Sequence, residues 1–152
     1  MSQPALSYQQ ILEDLARLVG LDEKELLATE EMVIDGLSVG LMLDGDEREG
    51  NLLFFSGLGI PAPQRLERIM RLMLQANHFW VGTGGCSLGL HPATDEVTLC
   101  GRIRLDELDA RTLAALLDAY ADTAKFWQAI VQNNDGPDEP VSFMNSSSAI
   151  RG

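Results

Sequence analysis

The chain has 152 residues, 45% hydrophobic and 22% charged, enough for one packed core of ordinary domain size. Its 23 acidic residues against 11 basic ones give a formal net charge of −12. Such a surface repels phosphate backbones and anionic lipid, which argues against nucleic acid and membrane as partners. No apolar run reaches the roughly 20 residues that span a bilayer. The start MSQPALSYQQ has no basic-then-apolar leader pattern, and two cysteines are too few for a disulfide scaffold, so a cytoplasmic protein is expected.

Tyr8, Ile11, Leu12, Leu15, Leu18 and Val19 recur at three- and four-residue steps and predict a first helix, with Ser7 to cap it and Gly20 to end it. A charged segment follows, and 22–33 is compatible with strand or helix. Leu37, Val39, Leu41 and Leu43 then alternate strictly, the period of a strand with one buried face. Asp35-Gly36 before them is a hairpin signal that pairs 30–35 with 37–43. The polar run 44-DGDEREGN-51 turns the chain into 52-LLFFS-56, completing a three-strand meander.

The stretch 57-GLGIPAP-63 predicts a break, and a second helix is expected from about Pro63 to His78. Its main stripe is Leu66, Ile69, Met70, Met73 and Asn77, with Leu72 and Leu74 as apolar surface outside it. The glycine-rich 82-GTGG-85 leads into strand 86-CSLGL-90, turn 91-HPATDE-96 and strand 97-VTLCGRI-103. Asp106 or Asp109 can cap a last helix with Leu113, Leu116, Leu117, Tyr120, Ala124, Trp127 and Val131 on its buried stripe. Residues 1–132 read as one α+β domain: helix, three-strand meander, helix, two-strand hairpin, helix, an antiparallel sheet flanked by helices. Residues 133–152 are rich in Gly, Pro, Ser and acid and read as a disordered tail.

Phosphate-cradling glycines follow a strand and open a helix, whereas 82-GTGG-85 does the reverse and has no Lys-Ser/Thr pair behind it. These glycines are expected to let the chain reverse. Cys86 as a nucleophile needs an activating histidine; His78 and His91 have no third group to orient them, so a small buried hydrophobe is the better reading. Pairing Leu88 with Leu99 and Leu90 with Val97 gathers the apolar side chains on one face and sets Cys86 opposite Gly101, which predicts free thiols. No CxxC or HxxxH spacing indicates zinc. Arg65, Arg68 and Arg71 form a short basic stripe, read as a solvated face or else a rim for an acidic contact. No catalytic residue, metal or cofactor is expected.

The segment 75-QANHFWVGTGGCSLGLHPATDEVTL-99 resembles the central signature of the type III secretion chaperones of the Tir chaperone (CesT-type) family, class I. An Asn-aromatic-Trp helix end, a glycine-rich reversal, a Leu-Gly-Leu strand and a proline-containing acidic turn carry the likeness. It extends to 8-YQQILEDLARLVGL-21, 35-DGLSVGLMLD-44 and the closing helix, covering roughly residues 5–131.

The resemblance implies a homodimeric, non-enzymatic chaperone that holds the N-terminal segment of a secreted effector without ATP, with the secretion-system ATPase as a further candidate partner. It implies a dimer contact through the second helix and fourth strand, for which Leu72, Met73, Trp80 and Leu88 are the candidates. The effector segment would lie over the first helix and the meander, at Leu12, Leu15, Met32, Ile34, Met42 and Phe54, where flexible methionines adapt to varied partners. The alternative is an acidic regulator, an anti-activator or polyanion mimic that binds a basic protein.

Overall fold

The computed structural model describes residues 6–133. In chain order it holds α1 (Tyr8–Val19), α2 (Glu23–Thr29), β1 (Glu31–Ile34), β2 (Leu37–Asp44), β3 (Asn51–Gly59), α3 (Leu66–Asn77), β4 (Ser87–Leu90), β5 (Val97–Arg104) and α4 (Ala110–Gln132). The strands form one sheet in the order β1-β2-β3-β5-β4. This is the expected α+β succession, with one added helix. The described residues divide into two compact units, 6–55 with 102–121, and 56–101 with 122–133. The expected tail, 133–152, lies outside the described residues except for Asn133.

In the first unit, a capping box starts α1. Gln10 N–H donates to Ser7 Oγ at 3.2 Å, and Ser7 N–H donates to the Gln10 side chain at 2.9 Å. The segment left open between strand and helix is both. Asp22 caps α2 by accepting from Glu25 N–H at 2.9 Å, and β1 begins two residues after the helix ends. The Asp35-Gly36 hairpin forms as expected, with Ile34 opposite Leu37 and Met32 opposite Val39. Strand β2 buries Leu37, Val39 and Leu41, and β3 buries Leu52 and Phe54 on the same side. Phe54 meets Tyr120 of α4 edge to face at 5.0 Å. On α1 the buried face is Tyr8, Ile11, Leu12, Leu15 and Ala16, so Leu18 and Val19, expected inside, are exposed. Asp109, not Asp106, caps α4: Thr112 N–H donates to its Oδ1 at 2.8 Å, while Asp106 pairs with Arg104.

In the second unit, β3 runs on to Gly59 and buries Leu58, so the break expected at 57 begins only at Ile60. Ile69, Leu72, Met73 and Ala76 form the buried face of α3. Leu72 therefore belongs to the core stripe, while Leu66 and Met70 are half-buried. Strands β4 and β5 adopt the expected register, Leu88 against Leu99 and Leu90 against Val97, and both cysteines are free. Trp127 is fully buried and its Nε1 donates to the Gly82 carbonyl at 2.8 Å, tying α4 to the glycine-rich reversal.

Candidate functional sites

Three segments distant in sequence enclose a cavity of about 270 Å³ in the first unit. Leu15, Val19 and Leu21 come from α1 and its exit, Met32, Val33, Ile34 and Asp35 from β1 and its turn, and Ala114, Leu117 and Asp118 from α4. Eight of the ten lining residues are apolar and two, Asp35 and Asp118, are carboxylates. Val33 is 67% exposed, and Leu18, Val19 and Leu21 are exposed as well. A contiguous apolar surface that the protomer leaves in water is the usual mark of a binding site.

The six residues expected to contact an effector do not share one surface. Leu15, Met32 and Ile34 line the cavity. Leu12 and Phe54 are core side chains, 0% and 3% exposed. Met42 is exposed, but on the opposite face of the sheet. It stands next to Leu41, whose side chain is buried, and opposite Leu53, beside the exposed Phe55. Val19, Leu21, Val33 and the α4 residues complete the cavity lining, and nothing local in the sequence marks segments that meet only in three dimensions.

The four residues expected at the dimer contact differ in exposure. Leu72, Met73 and Leu88 are buried within the second unit. Only Trp80 is available, 55% exposed, beside Phe79 at 70% and with Leu74 of α3 at 72%. Phe79 and Trp80 both hold left-handed backbone angles, φ 54° and 56°. That conformation costs roughly 1–2 kcal/mol per residue with a side chain. Flanking bonds keep it: Gly82 N–H to the Ala76 carbonyl at 3.1 Å, Trp127 to Gly82, and Asn77 to both backbone groups of Leu88.

The glycine-rich stretch is a chain reversal, with Gly84 at φ 60° and Gly85 at φ 90°. Cys86 behind it is the opposite of an activated nucleophile. Burial, and to a lesser degree neighbouring Cys100, push its thiol up to about 11. His91 accepts from Ala93 N–H at 3.1 Å and serves the turn. Among the described residues no group of three or more His, Cys, Asp or Glu is placed to hold a metal ion, and no helix is long and apolar enough to cross a membrane.

A family model, the Tir chaperone protein (CesT) family, matches residues 10–128. No curated protein matches the chain. Among solved structures, a chain of the ExsC–ExsE complex is similar at 26% identity and TM-score 0.61, over 81% of this chain and 92% of that one. A chain of the HopA1–SchA chaperone–effector complex shares 18% identity at TM-score 0.58, over 80% and 92%. A chain of the Yersinia pestis complex of the type III secretion chaperone SycH with a fragment of YscM2 shares 23% at TM-score 0.55, over 80% and 99%. The last two likenesses, at such identity, speak to the fold alone. With its family signature matched over most of its length, the chain belongs to the Tir chaperone protein (CesT) family, and it is a type III secretion chaperone.

Proposed function

We propose that the chain binds the N-terminal segment of a secreted effector through the cavity lined by α1, β1 and the first half of α4, and keeps that segment soluble for export. The observation that carries this reading is that the exposed apolar residues Val19, Leu21 and Val33 line the same cavity as Met32 and Ile34. The similar solved chain at 26% identity comes from a complex with ExsE, which supports a protein partner. An amphipathic effector segment would set its apolar side chains in the cavity, as in helix-in-groove recognition. Cytoplasmic residence, a homodimer, the absence of enzymatic activity and independence from ATP belong to the same reading. A contact with the secretion-system ATPase is a further part of it.

The test co-expresses the chain with a candidate effector's N-terminal fragment and asks for a soluble complex. Val33→Asp and Val19→Asp change exposed side chains, so the fold should persist while capture falls at least tenfold. Capture should survive nucleotide-free buffer and chelator. Unaltered capture by both variants, with circular dichroism unchanged, would remove the cavity from the reading.

A further inference from the structure

Two carboxylates, Asp35 and Asp118, stand among the apolar side chains that line the cavity of the first unit. They come from different elements, the β1–β2 turn and the body of α4, and both are exposed. Neither makes an ion pair or a side-chain hydrogen bond among the described residues. No Lys or Arg lines the cavity. Arg17, between Leu15 and Val19 on α1, is held by Asp14 at 3.0 Å and by Glu23 at 2.7 Å. On α4 the positions three and four residues from Asp118 are Ala114, Ala115, Ala121 and Asp122, so helical spacing supplies no cation either.

The fold needs neither charge. Asp35 opens the Asp35-Gly36 turn at φ 49°, a place that asparagine before glycine fills equally well. Asp118 lies eight residues after the start of α4 at Ala110, beyond the first turn where a carboxylate favours the helix dipole, and aspartate is a weak helix former. At about 270 Å³ the cavity falls just below the roughly 300–1,000 Å³ of pockets that enclose a whole small ligand, and it suits a few side chains of a longer chain. We propose that Asp35 and Asp118 select the occupant of this cavity: a client segment whose apolar side chains enter it and whose neighbouring lysine or arginine residues meet the two carboxylates. The proposal rests on the cavity reading above and adds to it the charge of the client. A net charge of −12 draws any basic segment from a distance, whereas two carboxylates fixed beside an apolar lining reward only a segment that carries both features together.

Fluorescence anisotropy on the full chain tests it with three synthetic amphipathic peptides. They share one leucine stripe at helical spacing and carry lysine, glutamine or glutamate at the two positions that bracket it. The lysine peptide should bind about tenfold more tightly than the glutamine peptide, and the glutamate peptide more weakly than either. Asp35→Asn with Asp118→Asn should lower the lysine peptide to the level of the glutamine peptide and leave the glutamine peptide unchanged. Asparagine keeps the turn, and both side chains are exposed, so circular dichroism should be unaltered. Asp95→Asn with Glu107→Gln removes the same charge from exposed positions outside the lining, and the preference for lysine should persist. Loss of that preference in both double variants alike would overturn the proposal, because net charge would then account for it. Equal binding of the three peptides, abolished by Val33→Asn, would overturn the proposal while the cavity reading stands. Binding of none of them, or binding indifferent to Val33→Asn, would remove the cavity reading and the proposal with it.

Discussion

The side chain of Asn77 pairs with the backbone of Leu88 in both directions. Its Nδ2 donates to the Leu88 carbonyl at 3.0 Å, and the Leu88 N–H donates to its Oδ1 at 2.9 Å. An amide side chain thereby does for β4, at the border of the sheet, what a neighbouring strand would do, and it joins the end of α3 to that strand. Asn77→Ala should cost about 1–3 kcal/mol, because both backbone groups lose their partner. Asn77→Asp should not rescue it, since a carboxylate has no N–H for the Leu88 carbonyl. Urea unfolding measures both, and an unchanged midpoint would contradict the pairing.

Cys86 should be a slow thiol. Its folded-state value is raised from an ordinary 9.0 to about 11, first by burial and then by Cys100. A raised value means that the stability linked to this group is intact below pH 9 and is lost as pH climbs through the interval to 11. Alkylation of native protein at pH 8 should therefore label Cys86 far more slowly than in denaturant. Rapid labelling at neutral pH with the fold intact would restore a catalytic reading.

Gly85→Ala should lower stability by about 1 kcal/mol or more. The position has φ 90° and open space around it, so the cost is backbone strain and not collision. Effector capture per folded molecule should be unaltered, because the change concerns a chain reversal. Loss of capture in a variant that melts normally would show that the loop does more.

Tyr8 donates its hydroxyl to Glu30 Oε2 at 2.6 Å, joining α1 to the residue that ends α2. Burial, then the hydrogen bond and charge of Glu30, push the phenol well above its ordinary 10. The direction implies stability that is complete below pH 10 and declines above it. Tyr8→Phe should cost about 1 kcal/mol at pH 7 and flatten that alkaline decline. Thermal melts from pH 8 to 11 on both proteins make the comparison.

Trp80→Asp should turn a dimer into a folded monomer. Phe79 and Trp80 hold strained backbone angles that flanking hydrogen bonds keep, yet both side chains remain exposed, and burial against a second copy would cover them. Leu72→Asp and Leu88→Asp should instead unfold the protomer, because both side chains are already inside it. Sedimentation velocity separates these outcomes. A wild-type chain that is monomeric at micromolar concentration would rule out the dimer.

Local chemistry in the sequence determined the order of elements, the Asp35-Gly36 hairpin, the capping of α1 and the β4–β5 register. Each rests on side chains within a few residues of one another, or on an alternation that fails if it slips by one. The same parity already held the position of Met42, since a residue next to inward-facing Leu41 faces outward, and Asp22 ahead of 23-EKELLAT-29 already marked α2. Tertiary structure alone decided which flank of α3 turned inward. With apolar residues at 66, 69, 70, 72, 73 and 74 the helix offers more than one face, and the element packed against it selects Ile69, Leu72, Met73 and Ala76. It alone also made the cavity, whose walls come from 15–21, 32–35 and 114–118 and acquire a common surface only once folding brings them together.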